Sequence, residues 1–272
     1  MVFESLVNPK KAEKKPWKMF FIGLFYSSIA VLLSIWIFRD HASLVMVFLT
    51  VMASLYLIYG VLQLEEEKDI KIKEEKLLIK EHGKALSFFV FLFLGFVVSF
   101  SLWYVFLPSS LISDVFGVQQ QTITEINTKV TGEAIGTTSL VSKIFFNNIK
   151  VMIFCLLFSF FYGSGAIFIL TWNASVIGTA IGSFVRGSIS HGFFPIFSAG
   201  LLRYLTHGIP EIIAYFMAGL AGGIISVAVI RHEFGSERFK HILVDSVDLV
   251  TVAVFVLFLA SLIEVFITPA LF

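Results

Sequence analysis

Apolar runs of about the length of a membrane-spanning helix recur along this chain, and they restrict the folds open to it. A helix needs roughly 20 consecutive apolar residues to cross the hydrocarbon layer of a bilayer. Hydrophobic residues make up 57% of the 272 residues and charged residues only 14%, which excludes a soluble globular protein. Because lipid offers no partners to backbone polar groups, the chain is predicted to be an all-α, polytopic integral membrane protein.

The apolar runs divide into seven predicted crossings. A three-residue polar turn, Arg39-Asp40-His41, joins the first two into a helical hairpin, and Pro108 closes the third. The fifth crossing is expected to be short or broken, because Arg186 and the polar stretch 188–192 interrupt it, and a helix in or near the membrane interface is expected to follow it. The predicted crossings are 19–38, 42–64, 85–107, 147–171, 173–190, 209–230 and 247–267.

The distribution of lysine and arginine predicts the orientation. Segments 1–18, 65–84 and 231–245 carry five, six and three of these residues, whereas the segments on the other side carry only Arg39, Lys129 and Lys143. Positive loops face the cytoplasm, so the amino terminus is predicted inside and the carboxyl terminus outside the plasma membrane. No contiguous basic face is present for nucleic acid.

Three regions are predicted along the chain. Residues 1–64 hold the basic amino terminus and the hairpin, and 65–84 form a charged cytoplasmic segment, either an exposed linker or a surface helix, with six lysines and seven acidic residues. Residues 85–272 form a five-span core with an extracytoplasmic loop at 108–146, rich in Ser, Thr, Gln and Asn. Long polar connections of this kind often recognise partners.

Polar residues within the most apolar region are the candidate site. Such groups are costly at bilayer depth, so they pair, line a cavity or have a function. His207 and Glu211 are four residues apart, which suits one helix face. Pro210 favours a helix that begins near Gly208, where Glu211 would cap free N–H groups. Asn173 is predicted to cap the fifth helix. Capping and intramembrane hydrogen bonding are preferred for Glu211 over an ion or proton site, and an ion or proton site is preferred over catalysis.

Arg186 and Arg203 bracket the irregular segment. They could pair with Glu211, bind lipid headgroups or attract an anion, and extension of their side chains to the interface is favoured. The sequence lacks HExxH, CxxC and GxxxxGKS patterns, and no nucleophile elbow is recognisable, so no catalytic, metal or cofactor site is predicted. The predicted intramembrane polar cluster is Asn148, Asn173, Arg186, Arg203, His207 and Glu211.

Small residues recur four apart in the later helices, a spacing that lets helix backbones approach closely in lipid. Packing within one subunit is favoured over a homodimer interface. The predicted packing residues are Gly178, Gly182, Ala214, Ala218, Gly219, Gly222 and Gly223.

These motifs resemble the stage II sporulation protein M family. The resemblance covers about 85–270 and is carried by Asn147-Asn148 opening a span, Asn173 after that span, and His207-Gly208-Ile209-Pro210-Glu211 before a small-residue helix. The added hairpin and charged segment resemble archaeal members. Bacterial members are understood as membrane scaffolds that recruit cell-wall hydrolases, so the resemblance implies a non-catalytic core. An archaeal-type member would have no peptidoglycan, so that partner is not carried over.

The predicted function is therefore a non-enzymatic membrane scaffold or assembly protein, with a membrane-protein partner or a second copy of itself. The alternative is a transporter or channel for an ion or small solute that uses the 173–211 segment, because broken helices with polar ends form many transporter sites. A weaker third possibility is an intramembrane hydrolase that uses His207 and Glu211.

Overall fold

The computed structural model describes residues 14–72, 75–131, 137–191, 194–231 and 235–271, with the backbone alone described in parts of several helices. Every regular element within these ranges is helical. The main helices are α1 (Lys18–Ile37), α2 (Ala42–Lys71), α3 (Glu75–Phe106), α4 (Ser109–Thr131), α5 (Thr137–Tyr162), α6 (Ala166–His191), α7 (Phe194–Arg231) and α8 (Glu237–Leu262). A π-helical turn, Ile263–Ile267, and the short α9 (Thr268–Leu271) follow α8.

Within the described ranges, seven of these helices are long and apolar enough to cross a membrane, which confirms the predicted all-α membrane class. They are α1, α2, α3, α5, α6, α7 and α8. In α7, 83% of the most apolar window is buried, against 22% in α5 and in α8. The helix α7 is therefore the central element of the bundle, and the outer helices present their apolar side chains to lipid.

The bundle consists of two groups of helices in contact. In the first, α3 lies between α1 and α6, and in the second, α7 lies between α5 and α8. Contacts of α7 with α6 and with α2 join the groups. The amphipathic helix α4 packs Ile112, Val115 and Phe116 inward against α2 and α6.

A close crossing of α1 and α3 attaches the amino-terminal hairpin to the rest of the bundle. Gly23 and Gly95 face each other there, and a side chain on Gly95 would overlap the backbone carbonyl of Phe20. Only glycine permits this separation, and close backbone approach provides helix packing in lipid. The hairpin is therefore part of the packed bundle.

The turn between the fourth and fifth crossings comes earlier than predicted. The sequence interpretation placed Gly163 and Gly165 inside a span that ends near Thr171, but α5 ends at Tyr162 and α6 begins at Ala166. Gly163 makes the turn with φ of +68°, a conformation that suits glycine. The prediction of a short or broken fifth crossing was wrong, because six residues assigned to the fourth span, 166–171, belong to a continuous helix that runs to His191.

The sixth crossing is also continuous. The helix α7 runs from Phe194 to Arg231 with Pro210 inside it, so the predicted helix start near Gly208 was wrong. Proline removes one backbone hydrogen bond, but it is tolerated inside membrane helices because neighbouring helices support the segment.

Two segments that the sequence presented as connections are mainly helical. Most of 108–146 forms α4 and the start of α5, so the predicted extracytoplasmic loop is not an irregular loop. In the charged segment 65–84, α2 extends to Lys71 and α3 begins at Glu75, which agrees with the surface-helix alternative rather than the open linker. At 30 residues, α2 is about 45 Å long, and its charged end extends beyond a hydrocarbon layer of about 30 Å.

Candidate intramembrane site

A cavity of about 310 Å³ lies between α3, α5, α6 and α7, with Ile123 of α4 also lining it. Valine, isoleucine, leucine and phenylalanine side chains form most of its wall. Ligand sites commonly combine such walls with a few convergent polar groups. The polar residues that line this cavity are Asn147, Asn148, Asn173, His207, Glu211 and Tyr215.

Three of these residues form a hydrogen-bonded chain between α5 and α7. The Asn148 amide Nδ2 donates to Oε1 of Glu211, and the hydroxyl of Tyr215 donates to Oδ1 of Asn148 at 3.0 Å. Asn148 and Tyr215 are 7% and 4% exposed. Glu211 and Tyr215 are four residues apart on α7, so their side chains lie on one helix face opposite Asn148. The side-chain amide of Asn148 on α5 therefore bonds to both Glu211 and Tyr215 of the central helix α7.

Asn173 and His207 line the same cavity but have other bonding partners. The Asn173 Nδ2 donates to the carbonyl of Ile169 at 2.8 Å, one turn earlier in α6. Asn173 is thus in mid-helix, and the predicted capping role was wrong. His207 Nδ1 lies 3.4 Å from the Thr268 hydroxyl, next to the π-helical turn that contains Glu264. Four predicted cluster residues, Asn148, Asn173, His207 and Glu211, therefore line one cavity.

Arg186 lies apart from this site. Its guanidinium donates to the carbonyls of Tyr104 at 3.1 Å and Leu107 at 2.6 Å, and to the Ser109 hydroxyl at 2.9 Å. These groups lie at the carboxyl end of α3, where free carbonyls and the helix dipole favour a cation. Arg186 therefore caps α3 and does not pair with Glu211. The Arg203 side chain lies outside the described residues.

The predicted small residues lie at contacts within the subunit. Gly178 and Gly182 face Phe100 and Tyr104 of α3, and Gly222 faces the Leu156 carbonyl of α5. Gly219 and Gly223 lie against Ala166 and Leu62, while Ala214 and Ala218 are fully buried in α7. They bring α6 close to α3 and α7 close to α5, which defines the cavity walls.

The polar groups of the cavity are suited to holding a ligand. Among the described residues, no group of three or more His, Cys, Asp or Glu side chains is placed to hold a metal ion. Cys155 is fully buried in the core. The cavity offers one carboxyl group, three side-chain amides, a phenol and an imidazole, which can position a ligand by hydrogen bonds.

A second polar cluster lies where the charged segment 65–84 meets the bundle. His82 has Nδ1 at 2.8 Å from Glu65 Oε2 and Nε2 at 3.2 Å from Asp69 Oδ1, and both carboxylates are buried. Arg231 at the end of α7 donates to Glu66 at 3.0 Å. These contacts connect α2 to α3 and to the core helix α7.

Sequence reasoning missed the partners in both clusters. Tyr215 occupies the position one turn after Glu211, and that spacing could have indicated it. His82 lies in a charged segment, and no local sequence pattern predicts that it pairs with Glu65 and Asp69. Gln119 was also missed: its amide donates to Ser175 at 3.2 Å and to the Ser43 carbonyl at 3.1 Å, joining α4 to α6 and α2.

The fold and the cavity define a polytopic α-helical membrane protein with a polar site among its spans. The family model of stage II sporulation protein M matches residues 85–269, which is more than half of the chain. The chain therefore belongs to the stage II sporulation protein M family, as its motifs predicted. Comparison with curated proteins and with solved structures gives no significant match.

Proposed function

We propose that this family member is a non-enzymatic membrane scaffold or assembly protein. The observation that carries the proposal is the hydrogen-bonded chain Glu211–Asn148–Tyr215, because it uses costly polar groups to hold α5 against the central helix α7. Hydrogen bonds between the side chains of neighbouring helices stabilise one packing arrangement of those helices in lipid. A rigid arrangement of this kind suits a protein that presents fixed surfaces to a membrane-protein partner or to a second copy of itself.

The outer partner surface is the exposed face of α4. This helix buries Ile112, Val115, Phe116 and Gln119 and exposes Ser113, Gln121, Thr124 and Glu125 on the opposite face. The lysine and arginine distribution supports a plasma-membrane protein with α4 and the carboxyl terminus outside and the charged segment 65–84 inside. The exposed part of that segment offers a second surface in the cytoplasm.

Cross-linking in native cells tests the scaffold proposal. The tagged full chain should purify with a specific membrane-protein partner, or a second copy, at fixed stoichiometry. Replacing Gln121 and Thr124 by lysine should remove the captured protein, because two new charges would oppose docking on α4. Replacing Glu237 and Lys240, which are exposed and lie on the other side in the proposed orientation, by glutamine is the matched control. Identical capture by wild-type protein and the α4 variant would contradict the proposed surface, and absence of any stoichiometric partner would contradict the scaffold.

The cavity favours transport as a second candidate function. A polar cavity among membrane helices, with the carboxyl group of Glu211 in its wall, is a feature of solute and ion carriers. Purified protein in liposomes should then move a small solute or ion, and Glu211→Gln should abolish that flux while keeping the Asn148 bond. Unchanged flux in Glu211→Gln, or none in wild-type protein, would reject transport through this site.

A further inference from the structure

Most of the cavity lining is apolar, and it carries a few polar groups. The walls from α3 and α6 are apolar over Val90, Leu94, Val176 and Ile177, apart from Asn173 on α6, whereas the α5 and α7 side carries Asn148 and Glu211. A ligand complementary to this lining has an apolar body and one polar end.

The carboxyl group of Glu211 determines what that polar end must be. Among the described residues, Asn148 is its only hydrogen-bond partner, and that bond uses Oε1. No lysine or arginine is among the described residues that line the cavity. A carboxylate at this depth gains from a cationic partner, and an ammonium group donates three hydrogen bonds. Asn173 also lines the cavity, and its Nδ2 donates to the Ile169 carbonyl within α6.

The volume sets the size of the ligand. An apolar cavity of roughly 150 Å³ holds one benzene molecule. At about 310 Å³ this cavity has roughly twice the volume of that benzene-binding cavity, so it has room for a molecule of about a dozen non-hydrogen atoms.

From these observations we propose that the cavity binds a small hydrophobic amine, with its ammonium group on Glu211 and its apolar body between α3 and α6. This inference goes beyond the scaffold function and does not depend on it. The proposed amine site and the candidate transport site are the same cavity, but the amine proposal requires only that the ligand binds. If the amine binds and no flux is measured, transport is rejected and amine binding is not.

Binding of 4-phenylbutylamine and its neutral analogue 4-phenylbutanol to the full-length protein in lipid nanodiscs tests the proposal. Empty nanodiscs measure partition into lipid. The amine should bind wild-type protein above that background and about tenfold to a hundredfold more tightly than the alcohol, because a hydrogen bond to a charged group is worth that much. Amine binding no stronger than alcohol binding, or no stronger than partition into empty nanodiscs, would overturn the proposal.

Three variants locate the site. Glu211→Gln keeps an acceptor for Asn148 but removes the charge, so amine affinity should fall about tenfold or more while alcohol binding stays unchanged. Ala180→Phe fills the cavity and should abolish binding of both compounds. Glu237→Gln, an exposed carboxylate outside the cavity, should bind the amine like wild-type protein. Equal amine affinity in wild-type protein and Glu211→Gln, or undiminished binding in Ala180→Phe, would refute the assignment. If Glu211→Gln does not fold, the Ala180→Phe variant and the amine–alcohol comparison decide the question.

Discussion

Two glycines of α3 should respond in opposite directions to the same substitution. Gly95 lies against α1, where an added methyl group would overlap the Phe20 carbonyl and lie 2.9 Å from Leu24 N. Gly83 in the same helix has no atom within 4 Å of that position. Replacing each by alanine therefore separates helix propensity from helix packing.

The magnitudes follow from these contacts. At Gly83 alanine should raise the free energy of unfolding by about 0.5–1 kcal/mol, because glycine is the poorer helix former. At Gly95 the new methyl group meets backbone atoms, so α1 and α3 must separate by roughly 1 Å and lose part of their dispersion contacts. Overpacking of this kind costs about 1–3 kcal/mol, so Gly95→Ala should be destabilising in spite of the better propensity.

Unfolding in mixed micelles, followed by circular dichroism against a denaturing detergent, measures both variants. The difference between Gly83→Ala and Gly95→Ala should be about 1–3 kcal/mol, because the gain in helix propensity is common to both positions and only Gly95 is overpacked. Gly23→Ala should resemble Gly95→Ala, and the double variant should be non-additive because both methyl groups enter one contact. If Gly95→Ala is as stable as Gly83→Ala, then α1 does not pack on α3 at this crossing, and the integrated hairpin is refuted.

Three further substitutions test the polar contacts by the same unfolding measurement. His82→Ala should cost about 3–5 kcal/mol, because it leaves the buried Asp69 carboxylate without a counter-charge, while Glu65 keeps Lys68, and a loss under 1 kcal/mol would contradict the pairing. Tyr215→Phe should cost about 0.6–1.7 kcal/mol through loss of its bond to Asn148, and should cost almost nothing when Asn148 is already alanine. Arg186→Gln should lower stability by about 1–3 kcal/mol through loss of charged donors to the end of α3, while Lys240→Gln, an exposed control, should change it by less than about 0.5 kcal/mol.

Much of the membrane architecture could be predicted from the sequence because continuous apolar runs mark the spans. The hairpin turn at Arg39–His41 and the first crossing were located within a residue or two, whereas α2 runs on to Lys71 and α3 begins at Glu75, beyond the predicted ends at 64 and 85. The turn at Gly163 was missed because no charge interrupts the apolar run there, and glycine is also common inside membrane helices. Its positive φ depends on packing that the sequence does not show.

The sequence predicted several residues of the candidate site, but it did not predict which of them contact each other. Asn148 and Glu211 were both singled out as polar groups at depth, but they are 63 residues apart, so their bond depends on how α5 packs on α7. Arg186 was grouped with them by proximity in sequence, whereas it caps α3 across the bundle. The cavity depends on small residues that bring helices together elsewhere, and no local pattern predicts such a space.

Cysteine labelling in intact cells tests the seven-crossing arrangement most directly. In a Cys155→Ala background, a membrane-impermeant maleimide should label Ser113→Cys and Ala270→Cys, which are exposed at the ends predicted to lie outside. It should label Lys14→Cys and Glu237→Cys only after the cells are permeabilised. Labelling of Lys14→Cys and Ala270→Cys from the same side would mean an even number of crossings, and would contradict the continuous helices α6 and α7 that enclose the Glu211 cavity.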